Sequence, residues 1–201
     1  MRIDIRRATP DSGAIPHLAS ELVALSPDLV LSHSTPTTAA LLQQTRSIPI
    51  VFTSVSDPVG SGFVESFPRP GTNVTSFVIL EPSMAGKWLE LLKEIAPNVT
   101  RVAIMFNPAT ASYAEFYLSS FKAAATSFGG EAIAAPVRER SEIEHVVAVQ
   151  ARGPNGGLLV MPDTFTTTHR VEITALAGRY RLPAAYPFRS FAEVDGLMPG
   201  R

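Results

Sequence analysis

Asp28-Leu-Val-Leu-Ser-His-Ser-Thr-Pro-Thr-Thr-Ala-Ala-Leu41, followed by Pro49-Ile-Val-Phe-Thr-Ser-Val-Ser-Asp-Pro-Val-Gly60, decides how the rest of the chain reads. Two short apolar runs rich in branched residues, 28–32 and 49–53, flank a helical segment from about Pro36 to Thr45. That is a βαβ unit, so its two strands are expected to run parallel. Each strand passes at its carboxyl end into a loop of small polar residues, His33 to Thr37 and Ser54 to Gly60. In an open parallel sheet such loops line the ligand crevice.

Working outward, the same alternation recurs on both sides. Ile3 and Ile5 alternate with charged residues and predict a short strand, broken at Thr9-Pro-Asp-Ser-Gly13. Ile15, Leu18, Ala19 and Leu22 follow at helical spacing up to Ser26-Pro27. Phe67-Pro-Arg-Pro-Gly71 reads as a rigid turn before a strand at about 73–77. From Glu81-Pro-Ser83 an amphipathic helix carries Met84, Trp88, Leu91, Leu92 and Ile95 on one face, with Trp88 read as core. Strands are expected at 101–106, 131–137, 157–161 and 183–186, and a helix at 166–180. Ser112-Tyr-Ala-Glu115 and Ser141-Glu-Ile-Glu144 have the spacing of capping boxes, and Gly129-Gly130 suits a left-handed helix terminus.

Two βα arrays in 201 residues imply an α/β fold of two doubly wound, Rossmann-like lobes. The expected division is an N-terminal lobe at 1–80, a C-terminal lobe at 81–190, and the start of a hinge or return segment at 191–201.

Composition narrows the function. A formal net charge of -1, with 17% charged residues, leaves no basic footprint for nucleic acid. With no cysteine there is neither a thiolate metal site nor a cysteine nucleophile. No apolar run approaches the roughly 20 residues of a spanning helix, and Met1 to Arg7 lacks the apolar core of a signal peptide. The four histidines are scattered, no metal-ligand spacing occurs, and no nucleophile elbow or phosphate loop is present, so neither a cofactor nor a metal is expected. His33 beside Ser34 is the one tempting base–nucleophile pair, but neighbours at a strand end point in different directions.

The candidate site is therefore a binding site. Ser34, Thr35 and Thr37 bring hydroxyls and free amides to a helix start with proline in its first turn, which is either an ordinary cap or a place for a carboxylate or phosphate. Asp57, in Asp-Pro-Val-Gly60, either shapes a turn or faces a ligand. Asn107 and Asp163 follow the strands at 101–106 and 157–161, and Tyr186 and Phe188 follow the last strand, as an apolar wall or as core.

The runs quoted above, together with Arg69-Pro-Gly-Thr-Asn-Val-Thr-Ser76, Lys87-Trp-Leu-Glu-Leu-Leu-Lys-Glu-Ile-Ala-Pro97, Arg101-Val-Ala-Ile-Met-Phe-Asn-Pro108, Leu159-Val-Met-Pro-Asp163 and Leu182-Pro-Ala-Ala-Tyr-Pro-Phe-Arg189, resemble the bacterial ABC-transporter substrate-binding proteins of the tryptophan/tyrosine type. The resemblance implies a type I periplasmic binding fold, with an amino-acid-like small molecule closed between two lobes and delivered to an ABC permease in the inner membrane. It also implies a periplasmic location and binding without transformation. By the same resemblance Ser34, Thr35 and Asp57 belong to the first lobe's wall, and Asn107 and Asp163 to the second's. Against the family pattern the chain reads as incomplete at both ends, the first lobe lacking its first strand, with self-association through that lobe as an expected consequence. Two rivals remain: a ligand-sensing regulatory domain of the same fold, and an α/β hydrolase.

Overall fold

Amides in a parallel strand find acceptors only on neighbouring strands, so topology follows from which runs pair. The computed structural model describes residues 2–8, 13–55, 57–66, 69–76 and 83–194. The expected break at 9–12, part of the turn at 67–71, the end of the strand near 77, the lobe boundary at 80–82 and most of 191–201 lie outside them. The chain divides into two compact units, Met1–Glu81 and Pro82–Arg201.

In the first unit, α1 (Ile15–Ala24), β1 (Val30–His33), α2 (Thr35–Gln44), β2 (Ile50–Thr53) and β3 (Val74–Ser76) follow in order. The sheet order is β1-β2-β3, all parallel, with Val30 beside Ile50 and Ile50 beside Val74. Val30, Ile50, Phe52 and Val74 present one sheet face to Ala19, Leu41, Leu42, Val55 and Phe63, and together these form the core. On the other face Leu31 stands 69% exposed.

The strand expected around Ile3 and Ile5 does not form: residues 2–8 carry no strand pairing, and the two isoleucines are exposed. Alternation can choose a face, but a strand also needs a neighbour to take its amides. Arg6 instead donates to Glu21 of α1 at 2.8 Å.

The second unit runs α3 (Met84–Ile95), β4 (Arg101–Phe106), α4 (Ala114–Ser127), β5 (Glu131–Pro136), α5 (Ser141–Arg152), β6 (Gly156–Val160), α6 (Thr164–Thr168), α7 (Arg170–Arg179), β7 (Ala184–Ala185) and α8 (Arg189–Ala192). Its strand order is β5-β4-β6-β7, again all parallel. β6 is buried throughout and β4 from its second residue, which is why both read as continuous apolar runs. Met105, Leu158 and Val160 pack with Ile143, Val147, Phe165, Ile173 and Phe191. Between α3 and α4, Trp88 stacks on Tyr117 with centroids 6.0 Å apart and planes 8° from parallel, so Trp88 is core as expected. Where α5 returns to the sheet, a Cβ on Gly156 would lie 2.2 Å from the carbonyl oxygen of Gln150, so only glycine fits.

Three helix termini differ from expectation. At α4 the cap position is Tyr113, not Ser112, and no side chain caps it. The Tyr113 hydroxyl donates to the Pro162 carbonyl, tying this end to the β6 loop. At α5 the cap position is Arg140, and the box is replaced by Glu142, whose Oε2 accepts from the amides of Arg138 at 2.5 Å and Glu139 at 3.4 Å. The helix expected at 166–180 begins earlier because Asp163 caps it, and it divides into α6 and α7 at His169. Gly129, at φ +64°, ends α4 as expected, with the Gly130 amide returning to Ala125 at 2.9 Å.

Candidate functional site

In each unit the parallel strands end on one edge, and the candidate residues sit on it. In the second unit the chain leaves β4 for β5 on one side and re-enters at β6 on the other, so the reversal of strand order falls between β4 and β6. Their carboxyl ends carry Asn107 and Asp163.

In the first unit β1 and β2 each end on a serine in the left-handed half of backbone space, Ser34 at φ +83° and Ser54 at φ +56°. With ψ at 156°, Ser34 occupies a region used almost only by glycine, at a cost of about 1–3 kcal/mol. Its amide donates to Thr53 O at 3.0 Å, anchoring the bend to β2. Behind it, Ser32 Oγ lies 2.8 Å from Thr38 Oγ1 and 3.1 Å from Thr37 Oγ1, and Ser34 Oγ lies 3.2 Å from Thr37 Oγ1. Thr38 donates to the Ser34 carbonyl at 2.9 Å and Thr37 to the same carbonyl at 3.0 Å. The hydroxyls thus hold the bend from within, and none caps α2.

Thr35 is different. It is 6% exposed, and neither its hydroxyl nor its amide has a partner among the described residues. The Thr37 amide also has no acceptor there, and Pro36 has no amide to satisfy. The first turn of α2 therefore offers two amides and one hydroxyl at the positive end of a ten-residue helix. Asp57 Oδ1 accepts from the Gly60 amide at 2.9 Å and its carbonyl from Ser61 at 2.9 Å, so Asp57 shapes a turn. His33 is exposed while Ser34 is buried.

In the second unit Asp163 is 2% exposed. Oδ2 accepts from the Asn107 amide at 2.8 Å, while Oδ1 accepts from the Phe165 amide at 3.1 Å and from the Thr110 hydroxyl. Burial pushes this carboxyl above the usual aspartate range, and the bonds from Thr110, Asn107, Phe165 and Thr166 pull the other way. The Asn107 side chain is equally committed, donating to Arg138 O at 3.1 Å and accepting from Ala109 at 2.8 Å. Tyr186 stacks on Phe191 with centroids 5.1 Å apart, and burial raises its phenol to about 12. It is core and strand-end residue at once, with Phe188 half-buried against the same cluster.

The structure thus brings Ser34, Thr35 and Thr37 together in one unit, and Asn107 and Asp163 together in the other. Sequence reasoning passed over three contributors: Ser32 and Thr38 behind the α2 loop, and Thr110. A threonine three residues past Asn107, in a strand-end loop, was the available signal for Thr110. Among the described residues no cluster of His, Asp or Glu suits a metal ion. A depression of about 460 Å³ lined by Pro97, Asn155, Arg181 and Pro183 lies at the opposite, amino-terminal edge of the second sheet and contains none of the candidate residues.

A family model described as "ABC transporter substrate binding protein" matches residues 1–196. A tyrosine-binding protein from Clostridioides difficile is 34% identical over 107 residues, 53% of this chain and 30% of that protein. A conserved domain protein from Vibrio cholerae superposes with TM-score 0.82 at 27% identity, over 92% of this chain and 61% of the other. An ABC domain from Streptococcus pneumonia, solved in complex with L-Trp, superposes with TM-score 0.84 at 24% identity, over 93% of this chain and 62% of the other. The chain therefore spans less than two thirds of the length of these relatives.

Proposed function

The chain belongs to the ABC transporter substrate-binding protein family, and from that premise we propose that it captures a small amino-acid-like solute and delivers it to an ABC permease of the inner membrane. The solute is bound and released unchanged, and the protein works in the periplasm. The tyrosine-binding relative and the L-Trp complex favour an aromatic amino acid. Among the described residues no helix is long and apolar enough to cross a membrane.

The observation that carries the reading is the start of α2. The hydroxyl of a largely buried threonine and two amides without acceptors among the described residues, at the positive end of a helix, form a receptor for a carboxylate. Ser34 and Thr37 hold that turn in place. Asp57 retains Oδ2 for a ligand ammonium, and in the second unit Asn107 and Tyr186 stand at the strand ends, where Asp163 holds the Asn107 loop. We also assign self-association to the first unit, supported by the edge of β1, which has no neighbouring strand among the described residues, and by Leu29 and Leu31, 53% and 69% exposed.

The test is calorimetry with a panel of L-amino acids, beginning with L-tyrosine and L-tryptophan, alongside mass spectrometry of compounds retained through purification. Saturable binding of one class, with the compound recovered unchanged, supports the reading; chemical turnover of a bound compound ends it.

A further inference from the structure

Asp163 is the only aspartate or glutamate that is buried among the described residues, and its surroundings say what it does there. Two segments supply it with three donors: the Asn107 amide at 2.8 Å and the Thr110 hydroxyl from the loop after β4, and the Phe165 amide at 3.1 Å from the first turn of α6. The Thr166 amide also favours its charge. An ionised carboxylate has about four lone-pair directions, and three donors of its own chain occupy most of them in a place that is 2% exposed. A ligand ammonium would have to shed its water and crowd in among these donors to reach a carboxylate that is buried, which costs about as much as the new bond gains.

We infer that Asp163 is a positioning residue: its carboxylate clamps the 107–110 loop to the start of α6 and so fixes the surface that this loop offers to the solute. It does not pair with the solute's ammonium. The inference rests on the proposed function for the word solute, but the clamp itself needs no ligand. The geometry supports it further, because Asn107 continues the chain of contacts to Arg138 O at 3.1 Å, linking the ends of β4, β5 and β6 through one carboxylate. Tyr113 donates to the Pro162 carbonyl, bracing the same junction from α4.

Two arms test it on the full chain. In the first, Asp163→Asn, Thr110→Val and the double variant are titrated with L-tryptophan and with its desamino analogue, at a temperature where circular dichroism shows every variant folded. A clamp lowers affinity for both probes by the same factor, about tenfold for Asp163→Asn. The double variant is then no worse than Asp163→Asn alone, because both changes break one device. A loss at least tenfold greater for the amino acid than for the analogue identifies an ion pair and overturns the inference. Unchanged affinity for both probes overturns it too.

In the second arm, amide exchange is followed without ligand. The clamp requires that Asp163→Asn speeds exchange at Asn107, Ala109 and Ala111 by about tenfold, while amides in the centre of β6 keep their protection. Unchanged exchange in the loop refutes the clamp. Failure of the wild-type chain to bind either probe counts against the aromatic amino-acid reading, and the exchange arm then decides the clamp by itself.

Discussion

The backbone amide of Asn107 donates to Oδ2 of Asp163 at 2.8 Å, joining the end of β4 to the end of β6 across 56 residues of sequence. Asp163→Ala removes the acceptor for the Asn107 and Phe165 amides and the Thr110 hydroxyl together. Buried donors left without partners cost about 1–3 kcal/mol each, discounted here because solvent reaches a loop edge. The expected loss is about 3 kcal/mol from the stability of the second unit, read from urea denaturation followed by Trp88 fluorescence.

Thr35→Val removes a hydroxyl that has no partner among the described residues, so the unliganded protein keeps its stability within about 0.5 kcal/mol. Affinity for the solute falls about tenfold or more, since a hydrogen bond to a charged group is worth about 1.5–3 kcal/mol. A calorimetric titration beside a thermal melt separates the two; equal affinity would reduce the α2 turn to plain structure.

Glu142 holds the turn that leads into α5 through the Arg138 amide, and that bond, ahead of the others, holds its carboxyl below the usual value of 4.5. A carboxyl lowered in the folded state adds stability that is present above its unfolded range and lost as pH falls through the folded value. Melting temperature should thus drop on acidification below about pH 4.5, and Glu142→Gln should flatten that part of the curve.

Tyr186 is shifted the other way, its phenol raised to about 12 by burial. The stabilising contribution of a raised group is complete below its unfolded value, about 10, and disappears as pH rises through about 12. Tyr186→Phe should remove one late tyrosine from the alkaline absorbance titration and lessen the loss of stability in that window.

Leu31 lies on the uncovered face of β1, beside a strand edge with no neighbour among the described residues. A lysine there is a common device against edge pairing. Light scattering across a concentration series should show less association for Leu31→Lys than for the parent chain; identical profiles would place any association elsewhere.

Much of the fold was legible because local rules and tertiary structure agreed. β4 is an apolar run closed by Asn-Pro and was read to the residue. α3 carries a clear apolar stripe, and Gly129 ends α4 because only a residue free of Cβ takes φ +64° at no cost. Where reading failed, the missing information was not local. The pattern of Ile3 and Ile5 is that of a strand, but no residue in 2–8 can state whether a neighbouring strand will receive its amides.

The candidate site divides along the same line. Loop composition after each strand was enough to select Ser34, Thr35, Thr37, Asn107 and Asp163, because a parallel sheet places all its strand ends on one edge. Their roles were not selected. Thr35 and Ser34 both carry a hydroxyl, and what separates their roles is what surrounds it; Asp163 became a clamp because Thr110 and the Asn107 amide, more than fifty residues earlier, fold onto it. A hydrogen bond between distant segments is a property of their register in the sheet, and register is decided by packing over the whole unit.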